Sequence, residues 1–310
     1  MSNAGLSSET SGKSGMRRSA PLGRLFGLLA ATFLGVNTTF ARLAYDGGSN
    51  PFTVVGSRFL FCAIAVAVTI RLVHRTYVIP RRTRLLTLGV TVVWFLTTTS
   101  YLSSVLFIPV SLAALVFYTF PLMVVGLSPL MERARFGPAR VGAFLLAFAG
   151  LAIALSPSFH SLDWRGIALA FLAAIGAAIT LILSKRLVSE QGVFTFTLYM
   201  STGSVLLITG IMQIGGGIAL PQDATGWIGL SGATFGFVVG ILAMFSAIQY
   251  VGPSPTSLIM NLEPLISILA AAVVLGERLT VLQFVGAVMV ISALILSVRA
   301  GASQFQELPE

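Results

Sequence analysis

FYTFPLMVVGLSPLMERARFG, residues 117–137, is answered later in the chain by MNLEPLISILAAAVVLGERLT, residues 260–280. Pro121 falls on Pro264, and after a two-residue gap Glu132-Arg133 falls on Glu277-Arg278. Working outward, a shift of 141 residues places Arg24 on Arg165, Gly35 on Gly176 and Asn50 on Gln191. The chain therefore contains one unit up to about residue 156 and a second copy after it. Each unit holds about five apolar segments, an odd number, so the second copy must cross a membrane in the opposite sense to the first. That is the inverted repeat found in many secondary transporters.

Composition points to the same solvent. With 56% hydrophobic residues, 9% charged and a mean hydropathy of +0.94, the chain has too little polar surface to coat a soluble globule. Apolar runs long enough to cross ~30 Å of hydrocarbon fall near 22–44, 52–74, 84–107, 110–131, 138–156, 164–187, 193–214, 225–250, 254–275 and 279–299. The expected fold class is an all-α integral membrane protein of ten transmembrane helices in two inverted five-helix repeats, 22–156 and 157–299. Residues 1–21 and 300–310 read as unstructured cytoplasmic tails. The start, RRSAPLGR before LFGLLAATFLGV, has the look of a secretory leader. The match of this segment to the start of the second copy argues that it is kept.

A net charge of +9 would suggest nucleic acid in a soluble protein, but the basic residues mark one side of a membrane instead. Arg17, Arg18 and Arg24 precede or open the first segment, Arg71, Arg75, Arg81, Arg82 and Arg84 join segments 2 and 3, and Arg133, Arg135 and Arg140 join 4 and 5. Lys185, Arg186 and Arg299 follow the same rule, whereas the alternate links hold only Arg42, Arg165 and Arg278. The positive-inside rule then puts both termini in the cytoplasm. The single cysteine, Cys62, allows no intrachain disulfide and no cysteine metal cluster.

The two quoted segments, each with a proline inside a helix and then a Gly-Glu-Arg or Met-Glu-Arg close, resemble the drug/metabolite transporter superfamily. The similarity to its EamA-type members covers about Leu22 to Val298 and is strongest in LGERLTVLQFVGAVMVISALILS, residues 275–297. Within that superfamily the chain is most similar to YddG-type amino-acid exporters. The resemblance implies two five-helix repeats, peripheral fifth and tenth helices, a location in the bacterial inner membrane and movement of substrate out of the cytoplasm. The first copy departs from the pattern by reading Met131-Glu132-Arg133 in place of Gly-Glu-Arg.

Polar side chains at membrane depth should face the transport path, because lipid penalises them. Segment 3 offers Trp94, Thr97, Thr98 and Tyr101 on one helical face. The repeat sets Phe237, Ile241 and Met244 opposite, an apolar wall whose methionine adapts to varied side chains. Segment 4 aligns Ala114, Tyr118 and Pro121, and segment 9 aligns Ser257, Asn261 and Pro264. Each proline removes a backbone donor and leaves a carbonyl, on Phe117 or Met260, without its usual partner. Asn37 and Tyr199 are further candidates for the wall, whereas Thr38 and Thr39 read as local backbone bonders. Of the ten acids, only Glu263 lies well inside a segment, and a carboxylate buried there is either neutral or paired with a cation. Arg58 is the basic residue comparably far from a segment end.

These residues assign substrate binding to Asn37, Trp94, Thr98, Tyr101, Tyr118, Tyr199, Phe237, Met244, Ser257 and Asn261. Coupling or gating falls to Glu263, Arg58, Pro121 and Pro264. The expected function is a secondary transporter exporting small metabolites, amino acids first, by alternating access. A multidrug or organic-cation exporter is the alternative, and a channel or lipid scramblase a more distant one. No catalytic residue, metal or cofactor is expected: His74 and His160 fall near segment ends, and no nucleotide-binding motif is present. The partners are a small-molecule substrate and the bilayer, not nucleic acid, and a monomer is the expected unit.

Overall fold

The computed structural model describes residues 6–73, 78–104, 107–108, 110–132, 138–156, 163–215, 217–275 and 279–303. Among them twelve helices are formed and no strand. The first unit contains α1 (Leu6–Asp46), α2 (Pro51–Leu72), α3 (Arg84–Ser104), α4 (Val110–Phe117), α5 (Phe120–Glu132) and α6 (Pro138–Leu155). The second contains α7 (Trp164–Gln191), α8 (Val193–Gly215), α9 (Ala224–Val251), α10 (Pro253–Met260), α11 (Leu262–Leu275) and α12 (Val281–Ser303).

Local chemistry sets the ends. The Asn50 side chain accepts the Thr53 N–H at 2.8 Å ahead of Pro51, and Asp163 and Asp223 start α7 and α9 in the same manner. Thr280 and Gln283 satisfy each other's backbone N–H groups before α12, a reciprocal cap. Gly192 and Gly252 end α7 and α9 at φ 82° and 87°, angles that cost glycine little. At the termini α1 begins at Leu6 and α12 continues to Ser303, so both helices run into the stretches expected as tails. Once a long helix exists, each added residue gains a hydrogen bond without a new nucleation step, so polar flanks can extend it.

Six stretches are long and apolar enough to cross a membrane: Ala20–Asp46, Pro51–Leu72, Trp164–Gln191, Val193–Gln213, Ala224–Val251 and Pro253–Val274. Leu112–Leu127, Val141–Leu155 and Val281–Ser297 are shorter apolar helices. The hydroxyl-rich α3 lies outside both groups.

Segments 4 and 9 are each broken in two. α4 stops at Phe117 and α5 starts at Phe120, one residue before Pro121; α10 stops at Met260 and α11 starts at Leu262, two before Pro264. The breaks thus fall at the residues whose carbonyls the prolines deprive of a donor.

Packing follows the repeat. α1 lies along α9, and α3 along α7; α2 pairs with α8, and α6 with α12. Exchange of the two units turns each of these pairs into another or into itself. The close approaches run antiparallel: Gly23 abuts Tyr250 and Val251, Gly236 abuts Asn37, and Gly47 abuts Gly226. In the α3–α7 interface Gly176 abuts Thr97, and the 141-residue shift carries that contact to within two residues of Asn37–Gly236. Gly232, Gly236 and Gly240 form the expected small-residue ridge, on which α1 rests through Phe40, Phe33 and Leu34.

The two ends of the bundle differ. At the end carrying Arg71, Arg81, Arg82, Lys185 and Arg186, Phe26 stacks on Tyr250 with centroids 5.8 Å apart, and Lys185 donates to the Ile248 and Gln249 carbonyls at 3.2 and 2.8 Å. Gln191 donates to Thr87 there at 3.0 Å. At the opposite end the segment 217–222 is tied to the α1–α2 link: Asn50 donates to the Gly217 carbonyl at 2.7 Å, and the Gln222 N–H donates to Gly47 at 2.8 Å. Asn50 and Gln191, equivalent in the repeat, thus brace opposite ends.

Candidate functional site

A cavity of about 230 Å³ sits at the centre, between the two units. α1 contributes Leu34, Asn37 and Thr38; α2 contributes Val55, Arg58 and Phe59; α3 contributes Trp94, Thr97, Thr98 and Tyr101. Phe117 and Phe120 enter from the first broken helix, Met260 and Glu263 from the second, and α9 adds Phe237, Ile241 and Met244. The breaks explain the pairs Phe117/Phe120 and Met260/Glu263, because an unwound turn lets residues on either side of it reach the same space.

Most of the wall is aromatic or apolar, so its few polar atoms define what can bind. The hydroxyls of Thr97 and Thr98 are occupied, donating to the Val93 and Trp94 carbonyls at 2.7 and 3.0 Å. Asn37 Oδ1, Arg58 Nε and Trp94 Nε1 are buried without a partner among the described residues. Gly236 lets α1 approach α9 at Asn37, which is 4% exposed. The Tyr118 hydroxyl and the Arg58 guanidinium both lie within electrostatic reach of the Glu263 carboxyl. Among the described residues no direct ion pair joins Arg58 and Glu263, and both line the same cavity. Buried polar groups without partners are costly. A ligand that supplies partners to several at once gains most.

A second chamber of about 590 Å³ adjoins the first. Thr38, Tyr101, Phe117 and Glu263 border both, and the Tyr101 and Phe117 rings, 4.8 Å apart, form part of the partition. The larger chamber runs between α4 and α11 toward the end braced by Asn50, with Arg42 and Gln283 on its wall. Toward the basic end the other halves, α5 and α10, are packed together, and Val125 and Leu258 share one buried cluster with Phe144. α4 and α11 have no comparable packing among the described residues. The central cavity is therefore flanked by the larger chamber on one side and by the packed α5 and α10 on the other.

The expected site residues divide accordingly. Asn37, Trp94, Thr98, Tyr101, Phe237, Met244, Arg58 and Glu263 line the central cavity, while Tyr118 and Pro264 line the larger chamber. Four are not brought to either wall. Tyr199 is 38% exposed on the outer side of α8, because α8 packs on α2 and α3 and contributes nothing to the cavity. Ser257 is buried and donates to the Ser254 carbonyl at 2.9 Å. Asn261 caps the broken helix, its amide donating to the Leu258 and Ser257 carbonyls at 3.1 and 3.4 Å. Pro121 is buried behind the break. The sixth and twelfth helices are not wholly peripheral either, since Ala154, Leu155 and Gln283 reach the larger chamber. Phe117 and Met260, which carry the carbonyls freed by the prolines, line the cavity with their side chains as well, and Phe120 joins them without a signal in the sequence pattern. Thr38, expected to bond the backbone locally, does donate to the Gly35 carbonyl at 2.8 Å, and it also meets Ser267 at 2.5 Å across the α1–α11 contact.

Comparisons with known proteins agree with this architecture. A solved crystal structure superposes with a TM-score of 0.75, covering 91% of this chain and 98% of its own at 18% identity, a likeness of fold. Two uncharacterized transporters of Archaeoglobus fulgidus are each 27% identical: one over 275 residues, 88% of this chain and 94% of its own, the other over 198 residues, 62% and 69%. The model of the EamA-like transporter family matches twice, over residues 21–156 and 164–299. Together with the paired helices and the central cavity, these matches make the protein a multi-pass membrane transporter belonging to the EamA-like transporter family.

Proposed function

We propose that the protein is a secondary transporter exporting small zwitterionic metabolites, amino acids with apolar side chains first, from the cytoplasm by alternating access. The observation that carries this reading is the pair of opposite charges in one aromatic cavity, Arg58 and Glu263, with no direct ion pair between them among the described residues. A substrate carboxylate can accept from Arg58 and Trp94 Nε1, and its ammonium can donate to Glu263 and Asn37 Oδ1. The apolar side chain then lies against Phe237, Ile241 and Met244. An organic cation would satisfy Glu263 but would leave Arg58 beside a like charge.

Alternating access rests on the repeat. We take the chain as ten spans in two inverted units, 22–156 and 157–299, with both termini cytoplasmic in the cell's inner membrane. The end where α5 and α10 pack is then cytoplasmic and the larger chamber faces outward. Exchange of the two units' conformations would open α5 from α10 and close α4 on α11, which gives the inward-facing state. With no nucleotide-binding motif in the sequence, gradients of substrate or ion drive the cycle.

Counterflow in proteoliposomes tests the reading. Vesicles loaded with unlabelled neutral amino acid should take up labelled amino acid saturably. Arg58→Gln should raise KM roughly 10- to 100-fold, the loss of a charge-assisted hydrogen bond. Exchange of organic cations without amino acids, or a non-saturable conductance, would replace this reading with an exporter of cations or a channel.

A further inference from the structure

We infer that the larger, outward chamber is a second binding site for the substrate carboxylate, with Arg42 as its cation and Glu263 shared with the central site. The inference rests on the zwitterion reading above. Three observations lead to it. First, the chamber is more than twice the volume of the central cavity, about 590 against 230 Å³, so it can hold a whole substrate beyond the partition. Second, its wall repeats the chemistry of the inner one. Arg42 and Glu263 bring opposite charges, as Arg58 and Glu263 do in the cavity behind. Third, Thr39 is only 4% exposed, and its hydroxyl is buried without a partner among the described residues on the same wall. A buried hydroxyl left unsatisfied on the chamber wall marks a place where a ligand oxygen gains a donor.

The placement along α1 suggests how the two sites work together. Thr38 borders both chambers, and Arg42 lies four residues further on, about 6 Å along the helix axis. Glu263 faces both spaces, so the substrate ammonium can stay on it while the carboxylate leaves Arg58 and passes the Tyr101–Phe117 partition to Arg42 and Thr39. The zwitterion then crosses the partition without both its charges being desolvated at once, the most expensive state available to it in a low-dielectric passage. No covalent step is involved. Arg42 is a site residue for release on export and for capture from outside when the carrier runs in exchange.

The test uses the full-length protein reconstituted in one orientation, with initial rates of labelled leucine exchange measured from each face. Arg42→Gln should raise KM at the outer face about two- to fivefold, the range for a solvent-accessible pair, and leave KM at the cytoplasmic face unchanged. Arg42→Lys should restore most of the outer-face affinity, and Thr39→Val should weaken that face alone. Leucinamide, which lacks the carboxylate, should show no dependence on residue 42 at either face. Equal outer-face KM values in wild type and Arg42→Gln, or equal changes at both faces, would overturn the second site while leaving the central one intact. Failure of the wild type to exchange leucine or any other amino acid would overturn both.

Discussion

At the scale of single residues, depth in the sequence and function separate for Glu263 and Asn261. Both are polar, both sit near the middle of one apolar segment, and both are expected at the cavity. Glu263 arrives there, but the amide of Asn261 is taken by the carbonyls of Leu258 and Ser257, left exposed where α10 ends. A polar side chain beside a helix break has a local use that periodicity cannot reveal, and this use claims Asn261. Accordingly, Asn261→Ala should lower stability by about 1–2 kcal/mol, read as a drop in detergent-solubilised Tm, with substrate KM unchanged. Glu263→Gln should do the reverse. The amide keeps the shape, so Tm should hold, while exchange KM for zwitterions rises roughly 10-fold or more on loss of the ammonium partner.

Among the helices, what the sequence makes legible is where a segment is interrupted, not how far its ends extend. Pro121 and Pro264 locate the breaks within a few residues because the missing N–H is a covalent fact. The extension of α1 to Leu6 has no such marker, and Tyr199 is misplaced because the pairing of α8 with α2 and α3 is a tertiary choice. The glycines can be ranked once neighbours are known. A Cβ at Gly229 would run into the α1 backbone at Ala44 and Phe40, whereas one at Gly89 would meet nothing within 4 Å. Gly229→Ala should therefore cost about 1–3 kcal/mol by overpacking. Gly89→Ala should be neutral or stabilising by up to about 1 kcal/mol through helix propensity. Thermal unfolding of the two variants side by side checks the contrast. Pro264→Ala should restore a backbone donor to Met260, stiffen the α10–α11 junction and slow turnover with little change in KM.

For the whole molecule, the repeat read from residues 117–137 and 260–280 carries further than any single side chain. It requires that the pairing of α1 with α9 be matched by that of α3 with α7, and under the proposed alternating access it defines a second conformation by exchange. In the present one Val125 of α5 and Leu258 of α10 share a buried cluster that closes the basic end. The register of the two proline segments, 143 residues apart, carries Val125 to Ile268 and Leu258 to Leu115. These residues belong to α11 and α4, the elements on either side of the larger chamber. The most direct measurement is disulfide cross-linking in a Cys62→Ala background, with the pairs Val125→Cys/Leu258→Cys and Leu115→Cys/Ile268→Cys tested separately and together. Each pair should cross-link, each bond should arrest exchange, and formation of one should prevent the other in the same molecule. Both bonds forming together in one molecule, or the Leu115/Ile268 pair never closing under exchange conditions, would contradict alternating access through these broken helices.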